Sequence, residues 1–294
     1  MKKIIKISLI AVVAIGIITA IFYSTQAVEI CGDEPIATTS FEKRIQDRSE
    51  KEINNKPYAD AKLGFNSILQ EINTEASIIL GDGSKNLSNE ETIKSKKIIF
   101  YDYAPIFTEY GTSYFNRSSW DDATLKSLQN EAQTLQNMKI AESKTKVSSG
   151  LALIISTVND YYAAWNVAKS ASSCSSISAI KSVVTSANKY KKKPLTNNAS
   201  LAAALNSVES TAKSSVVRNI VQYCSGVANR SKSHTNYASW MAAYENACNR
   251  IDEYKKAYGY PKELLQARAA LDNADSDALD YYSVLEQKNY QDEE

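Results

Sequence analysis

Thr196-Asn197-Asn198-Ala199-Ser200-Leu201 and Thr235-Asn236-Tyr237-Ala238-Ser239-Trp240 are the best-matched pair of a short recurring pattern. In it two small residues precede a large apolar anchor, and an alanine follows three positions later. The other copies are Ser118-Ser119-Trp120-x-x-Ala123 and Ala163-Ala164-Trp165-x-x-Ala168, so all three tryptophans of the chain stand in this setting. The anchors Trp120, Trp165, Leu201 and Trp240 are 45, 36 and 39 residues apart, a spacing that suits one helical hairpin and its turn. The pattern therefore predicts an all-α chain, an antiparallel helical bundle built from degenerate helix-hairpin repeats. Each anchor should be buried near the start of a helix, with its alanine on the same face.

Composition agrees with that class. Of 294 residues, 44% are apolar and 23% charged, the balance of a folded protein rather than a disordered one. Only 9 Gly and 5 Pro interrupt it, which favours long helices with few tight turns. Tyrosine supplies 18 of the aromatic residues, as half-buried helix faces require when rings pack and hydroxyls reach water. The net charge of +1 is uninformative, but its distribution is polarised. From Lys139 to Lys232 thirteen basic residues face three acidic ones, whereas Asp272 to Glu294 holds eight acidic residues and Lys288 alone. Three readings stand: a middle segment laid on an anionic surface, a tail folded back on the chain itself, or a solvated face followed by a frayed acidic tail.

Lys2, Lys3 and Lys6 precede an apolar run from Ile7 to Tyr23, and Thr25-Gln26-Ala27 supplies small residues for signal peptidase. The run is long for a signal-peptide core and short for a membrane span, so residues 1–27 read either as a cleaved signal peptide or as a single-pass signal anchor. Both readings place residues 28–294 outside the cytoplasm, because the lysines hold the N-terminal end inside. The chain is then membrane-anchored by residues 7–23, or secreted or periplasmic after cleavage near Ala27. Cys31, preceded by Val28-Glu29-Ile30, lacks the small residue of a lipoprotein site. An exported chain tolerates disulfides. Cys224 and Cys248 flank the polar turn Ser231–Thr235 at similar distances and would come opposite each other in a hairpin, which makes them the candidate disulfide. Cys31 and Cys174 have no such argument, and burial as small apolar residues is the alternative for all four.

Along the chain, residues 28–56 form a connector and a charged helix that opens at the capping box Thr39-Ser40-Phe41-Glu42. Residues 57–147 read as an N-terminal helical subdomain. Pro57 starts a helix with Leu63, Ile68, Leu69, Ile72, Ile78 and Ile79 at three-to-four spacing, closed by Gly81-Asp82-Gly83. A second helix from Glu90 carries Phe100, Tyr101, Tyr103, Phe107, Tyr110, Tyr114 and Phe115, with Pro105 expected to kink it. A third, bearing Trp120, extends to about Lys146. Beyond Gly150 a C-terminal helical repeat subdomain, residues 148–294, contains helices near 151–171, 176–192, 198–229, 236–257 and 261–286 and ends in the acidic tail. The last of them follows Gly259 and begins at Pro261.

Residues 180–212, with the turn motif and a helix marked by Leu205, Val208 and Ala212, resemble the FIVAR module, a three-helix unit of bacterial surface proteins. Residues 220–270 resemble it through Ala238-Ser239-Trp240, Ala247, Ile251, Leu264 and Leu271, and part of 116–135 does so more briefly. The anchors are closer together than a full module needs, so adjacent copies would share helices. The resemblance implies a spacer or carbohydrate-proximal accessory role on a cell surface and carries no catalytic residues with it.

Residue chemistry narrows the function further. His234 is the single histidine, which excludes a His-rich metal site and leaves any histidine relay resting on one turn residue. Asp82-Gly83-Ser84-Lys85-Asn86 begins like a calcium loop but has Leu87 and Ile93 where glycine and the bidentate glutamate belong. Asp121, Asp122, Asp252 and Glu253 fall at helix ends or on solvated faces. The stripe Phe100, Tyr103, Phe107, Tyr110, Tyr114 has the spacing of a core face. Lys189, Lys191, Lys192 and Lys193, beside Tyr190, form the candidate contact for an anionic polymer, or a helix C-terminus whose cations answer the dipole. No cofactor and no nucleic-acid partner is expected. The reading is a non-enzymatic extracytoplasmic interaction or spacer protein of the cell envelope, binding a protein partner or a surface polymer. The alternatives are a hydrolase using carboxylates in an interhelical groove and a membrane-anchored sensor or secretion-apparatus subunit.

Overall fold

The computed structural model describes residues 38–138, 140 and 146–292. Residues 1–37, with the expected signal or anchor segment and Cys31, lie outside the described residues. Among the described residues the chain is all helical, with nine α-helices, two short 3-10 turns at Ala171–Ser173 and Pro194–Asn197, and no strand. The helices are α1 (Ser40–Glu52), α2 (Tyr58–Ser77), α3 (Asn89–Phe115), α4 (Asp122–Asn137), α5 (Lys146–Ser170), α6 (Ile177–Lys191), α7 (Ala199–Ala228), α8 (Tyr237–Tyr258) and α9 (Lys262–Asp292). None of them is long and apolar enough to cross a membrane.

Local signals set most boundaries. Thr39 caps α1 by accepting from the Glu42 amide at 3.2 Å, while Glu42 Oε2 accepts from the amides of Thr38 and Thr39. Burial works against the Glu42 carboxylate, but these donors hold its pKa below the usual range. Asn198 and Asn236 cap α7 and α8 through side-chain oxygens that accept from the Leu201 and Ser239 amides. Gly259, at φ +90°, stops α8 in a conformation that favours glycine, and Pro261 precedes α9. Helix α3 continues past Pro105 without ending there.

Two expected spans change. Helix α2 stops at Ser77, and Ile78 to Asn86 turn back as a small hairpin with an antiparallel bridge between Ile79 and Lys85. Ile68 and Ile72 are core as expected, but Leu63, Ile78 and Ile79 are exposed. Helix α4 begins after Trp120 and ends at Asn137, short of Lys146. The described residues group into two compact units, one within Met1–Tyr110 and Glu131–Leu153 and the other within Gly111–Asn130 and Ile154–Glu294, and α3, α4 and α5 each supply residues to both.

In the first unit α1 packs on α2, and Gly64 makes their approach possible: a Cβ there would stand 2.5 Å from the Glu52 carbonyl oxygen. Ile45, Ile68, Ile72, Phe65, Phe100, Tyr103 and Phe107 fill the core, and Ser49 donates to Asp102 at 2.6 Å. In the second unit α7 is the spine, packed on α6, α8 and α9. Its buried row Leu201, Leu205, Val208, Ala212, Val216, Ile220, Cys224 and Val227 has the three-to-four spacing of a helix face. Arg250 lies 3.8 Å above the Tyr223 ring and Lys213 is 4.7 Å from the Tyr258 ring, so α7 and α8 run antiparallel.

The recurring anchors do not occupy equivalent helical positions. Leu201 lies three residues after its cap and Trp240 four after its own, Trp120 stands before α4, and Trp165 is near the end of α5. Trp120, Leu201 and Trp240 are buried but Trp165 is only half-buried, and none of the four motif alanines is fully buried. The cap decides the register: Asn198 rather than Asn197 caps α7, which shifts the two best-matched copies by one residue relative to each other.

Candidate functional site

The polar chemistry that sequence reading passed over is concentrated at carboxylates serving aromatic donors. In the first unit Glu131 of α4 accepts from the hydroxyls of Tyr103 and Tyr58 and from the ammonium of Lys62. Tyr103 is fully buried and stacks on Phe65 at 4.4 Å between ring centres, while Tyr58 stacks on Tyr110 at 3.8 Å. Burial above all, with the Glu131 carboxylate adding to it, pushes the Tyr103 hydroxyl far up and that of Tyr58 up to about 12. These phenols stay protonated and donate, so the cluster is a structural clamp between helices. One signal pointed to it: Glu131 lies between Leu128 and Leu135 on the apolar stripe of α4, where a carboxylate needs partners.

The second unit repeats this chemistry. On α9, Asp275 accepts from Trp240 Nε1 at 2.9 Å and the Tyr237 hydroxyl at 3.0 Å, and Asp272 accepts from the Tyr244 hydroxyl at 2.7 Å and from Arg268. Arg268 also reaches Asp252, 3.7 Å away. Of the carboxylates singled out in the sequence, Asp252 is thus held by Arg268, and Asp121 and Asp122 also have partners. Asp121 caps α4 by accepting from the Thr124 amide and receives the Tyr114 hydroxyl, and Asp122 binds Lys126 and the Tyr162 hydroxyl. Hydrogen bonds from Thr124 and from Lys126, respectively, lower the pKa of these two aspartates.

His234 sits in the α7–α8 turn, where its amide and carbonyl are both bonded to the Tyr282 hydroxyl and its ring lies edge-on to Trp240 at 5.8 Å. Asp82 accepts from the amide and hydroxyl of Ser84, which lower its pKa and make it the corner of the hairpin. Of the expected stripe, Phe100, Tyr103, Phe107 and Tyr114 are core and Tyr110 is half-buried. Cys224 and Cys248 are both buried and held as thiols, with Cys224 Sγ 3.9 Å from the Ala247 carbonyl oxygen.

Lys189 and Lys191 occupy the last turn of α6, and Lys192 is its C-cap. Lys193 is not available as a polymer contact in this arrangement, because its ammonium pairs with Asp160 and lies over the Tyr190 ring. Lys189 and Lys192 project into solvent. A groove of about 480 Å³ along α1 is lined by Lys43, Arg44, Asp47 and Arg48, but Glu52 and Glu71 tie its guanidiniums.

An exposed apolar run of the first unit lies on the hairpin. Ile79 is 70% exposed, and Ile78 and Leu80 on either side of it are also exposed. In the bridge the Leu80 amide bonds to Ser84 and the Asn86 amide to Ile78, so the amide and carbonyl of Ile79 face the open edge. No protein family, no curated protein and no solved structure matches the chain.

Proposed function

We propose that this chain is a non-enzymatic helical interaction or spacer protein of the cell envelope, carried outside the cytoplasm by residues 1–27. The observation that carries the reading is the contrast between interior and tips. Glu131, Asp272 and Asp275 are engaged as acceptors in helix-to-helix clamps, whereas the Ile78-Ile79-Leu80 tip presents apolar side chains and an open backbone edge to solvent. A protein partner with an apolar surface fits that tip. Lys189 and Lys192 supply a weaker, salt-sensitive contact to an anionic surface polymer.

The resemblance of residues 180–212 and 220–270 to the FIVAR module supports the same reading, as does the packing of α7, α8 and α9 around one another. Degenerate hairpin repeats sharing helices are the architecture that goes with it.

Photo-crosslinking of the full chain in native membranes, from a probe at Ser84, tests the proposal. A defined adduct that is lost on Ile79→Lys, with helix content unchanged, is expected. An adduct pattern identical in wild type and variant overturns the assignment of the tip.

A further inference from the structure

Cys224 and Cys248 meet on the antiparallel pair α7 and α8, where Cys224 Sγ lies 3.9 Å from the carbonyl oxygen of Ala247, the neighbour of Cys248. Tyr223 and Arg250 touch across the same level, which places the two thiols in adjoining turns of facing helices. The third described cysteine is elsewhere. The Cys174 carbonyl is bound by Ser215 and Asn219, and Ser215 is roughly 13 Å along the α7 rise from Cys224.

We propose that Cys224 and Cys248 are an oxidisable pair, which a small-molecule or protein disulfide donor converts into an interhelical disulfide, with Cys248 entering the exchange first. Cys248 is 6% exposed and Cys224 1%, so an incoming donor reaches Cys248 before its partner. Burial raises the pKa of both thiols, that of Cys224 to about 11; at Cys248 the Arg268 guanidinium opposes the rise while Asp272 and Asp252 add to it, so the order of entry rests on exposure. The Cys248 thiolate attacks one sulfur of the donor disulfide and expels the other as a thiolate, leaving a mixed disulfide. The Cys224 thiolate then attacks the Cys248 sulfur and expels the second donor thiolate. The two protons given up by the cysteine thiols end on the two donor thiolates, the two cysteines are oxidised by two electrons in total, and the donor is reduced to two thiols.

The bond would close a loop from Cys224 to Cys248 and restrict the unfolded chain there. It would also fix α8, whose Tyr244 donates to Asp272 of α9. Because both thiols are buried, exchange needs α8 to lift locally, so a low concentration of urea accelerates it.

The test is incubation of the reduced full chain with oxidised glutathione, with and without mild urea, followed by alkylation and peptide mapping without reductant. The expected product links the Cys224 and Cys248 peptides and is two hydrogens lighter than their sum. It forms faster in mild urea, and its urea midpoint rises and falls back on reduction. In Cys224→Ser, glutathione is trapped on Cys248. Alkylation of both thiols after incubation, linkage of either one to Cys174 or Cys31, or faster trapping on Cys224 in Cys248→Ser overturns the proposal. The wild-type mapping stands even if a variant fails to fold.

Discussion

Replacing Glu131 by alanine should unfold the first unit at markedly lower denaturant, and the cost follows from which of its donors can turn to water. Tyr103 is fully buried, so its hydroxyl would lose its partner with no solvent to replace it, a penalty of ~1–3 kcal/mol. Tyr58 and Lys62 are half-buried and can rehydrate, so together they add only about 1 kcal/mol of lost charge-assisted bonding. The expected loss is therefore ~2–4 kcal/mol. Tyr103→Phe removes the donor without stranding a buried group and should cost only about 1 kcal/mol. The double variant should then be less destabilised than the sum of the two by ~1–2 kcal/mol, because the stranded hydroxyl no longer exists. Urea unfolding followed by helical ellipticity gives the three values, provided the slopes of the transitions agree. Strictly additive effects, or a loss below about 0.5 kcal/mol in Glu131→Ala, would show that the clamp does not support the fold.

Two other outcomes follow from the same geometry. The Tyr58 hydroxyl titrates near 10 when unfolded and about 12 when folded, so its contribution to stability is complete below pH 10 and is lost as pH rises through 12. Tyr58→Phe should flatten the alkaline limb of a stability profile measured between those values, and an unchanged limb in the variant removes Tyr58 as its source. Trp240→Ala, at a fully buried ring that donates to Asp275, should destabilise by ~3–5 kcal/mol, whereas Trp165→Ala, at a half-buried ring, should cost ~1–2 kcal/mol. Equal losses in denaturant titrations would mean that the two anchors are equivalent after all.

Helical class, the caps at Thr39 and Gly259, and the ends of α6, α7, α8 and most of α9 were legible in the amino-acid order to within a residue or two. These features depend on groups within one turn of each other: a hydroxyl reaching an amide three residues on, a glycine at positive φ, an apolar row at helical spacing. Tertiary structure decided the rest. The Ile78-Ile79 pair fits a helical stripe by spacing, yet Gly83 at φ +84° and the Ile79–Lys85 bridge turn it into an exposed hairpin. The partners Tyr58 and Glu131 are 73 residues apart, and Trp240 and Asp275 are 35 apart. Nothing in the spacing of either pair marks it, because a tyrosine or an aspartate on a helix face reads as solvated until another helix covers it. Likewise, the repeated tryptophan setting is a true regularity of the sequence, but a one-residue choice of cap and the neighbours each anchor meets determine which face it takes. Local backbone chemistry is written in consecutive residues, while the pairing of helix faces depends on packing that no single stretch of this chain contains.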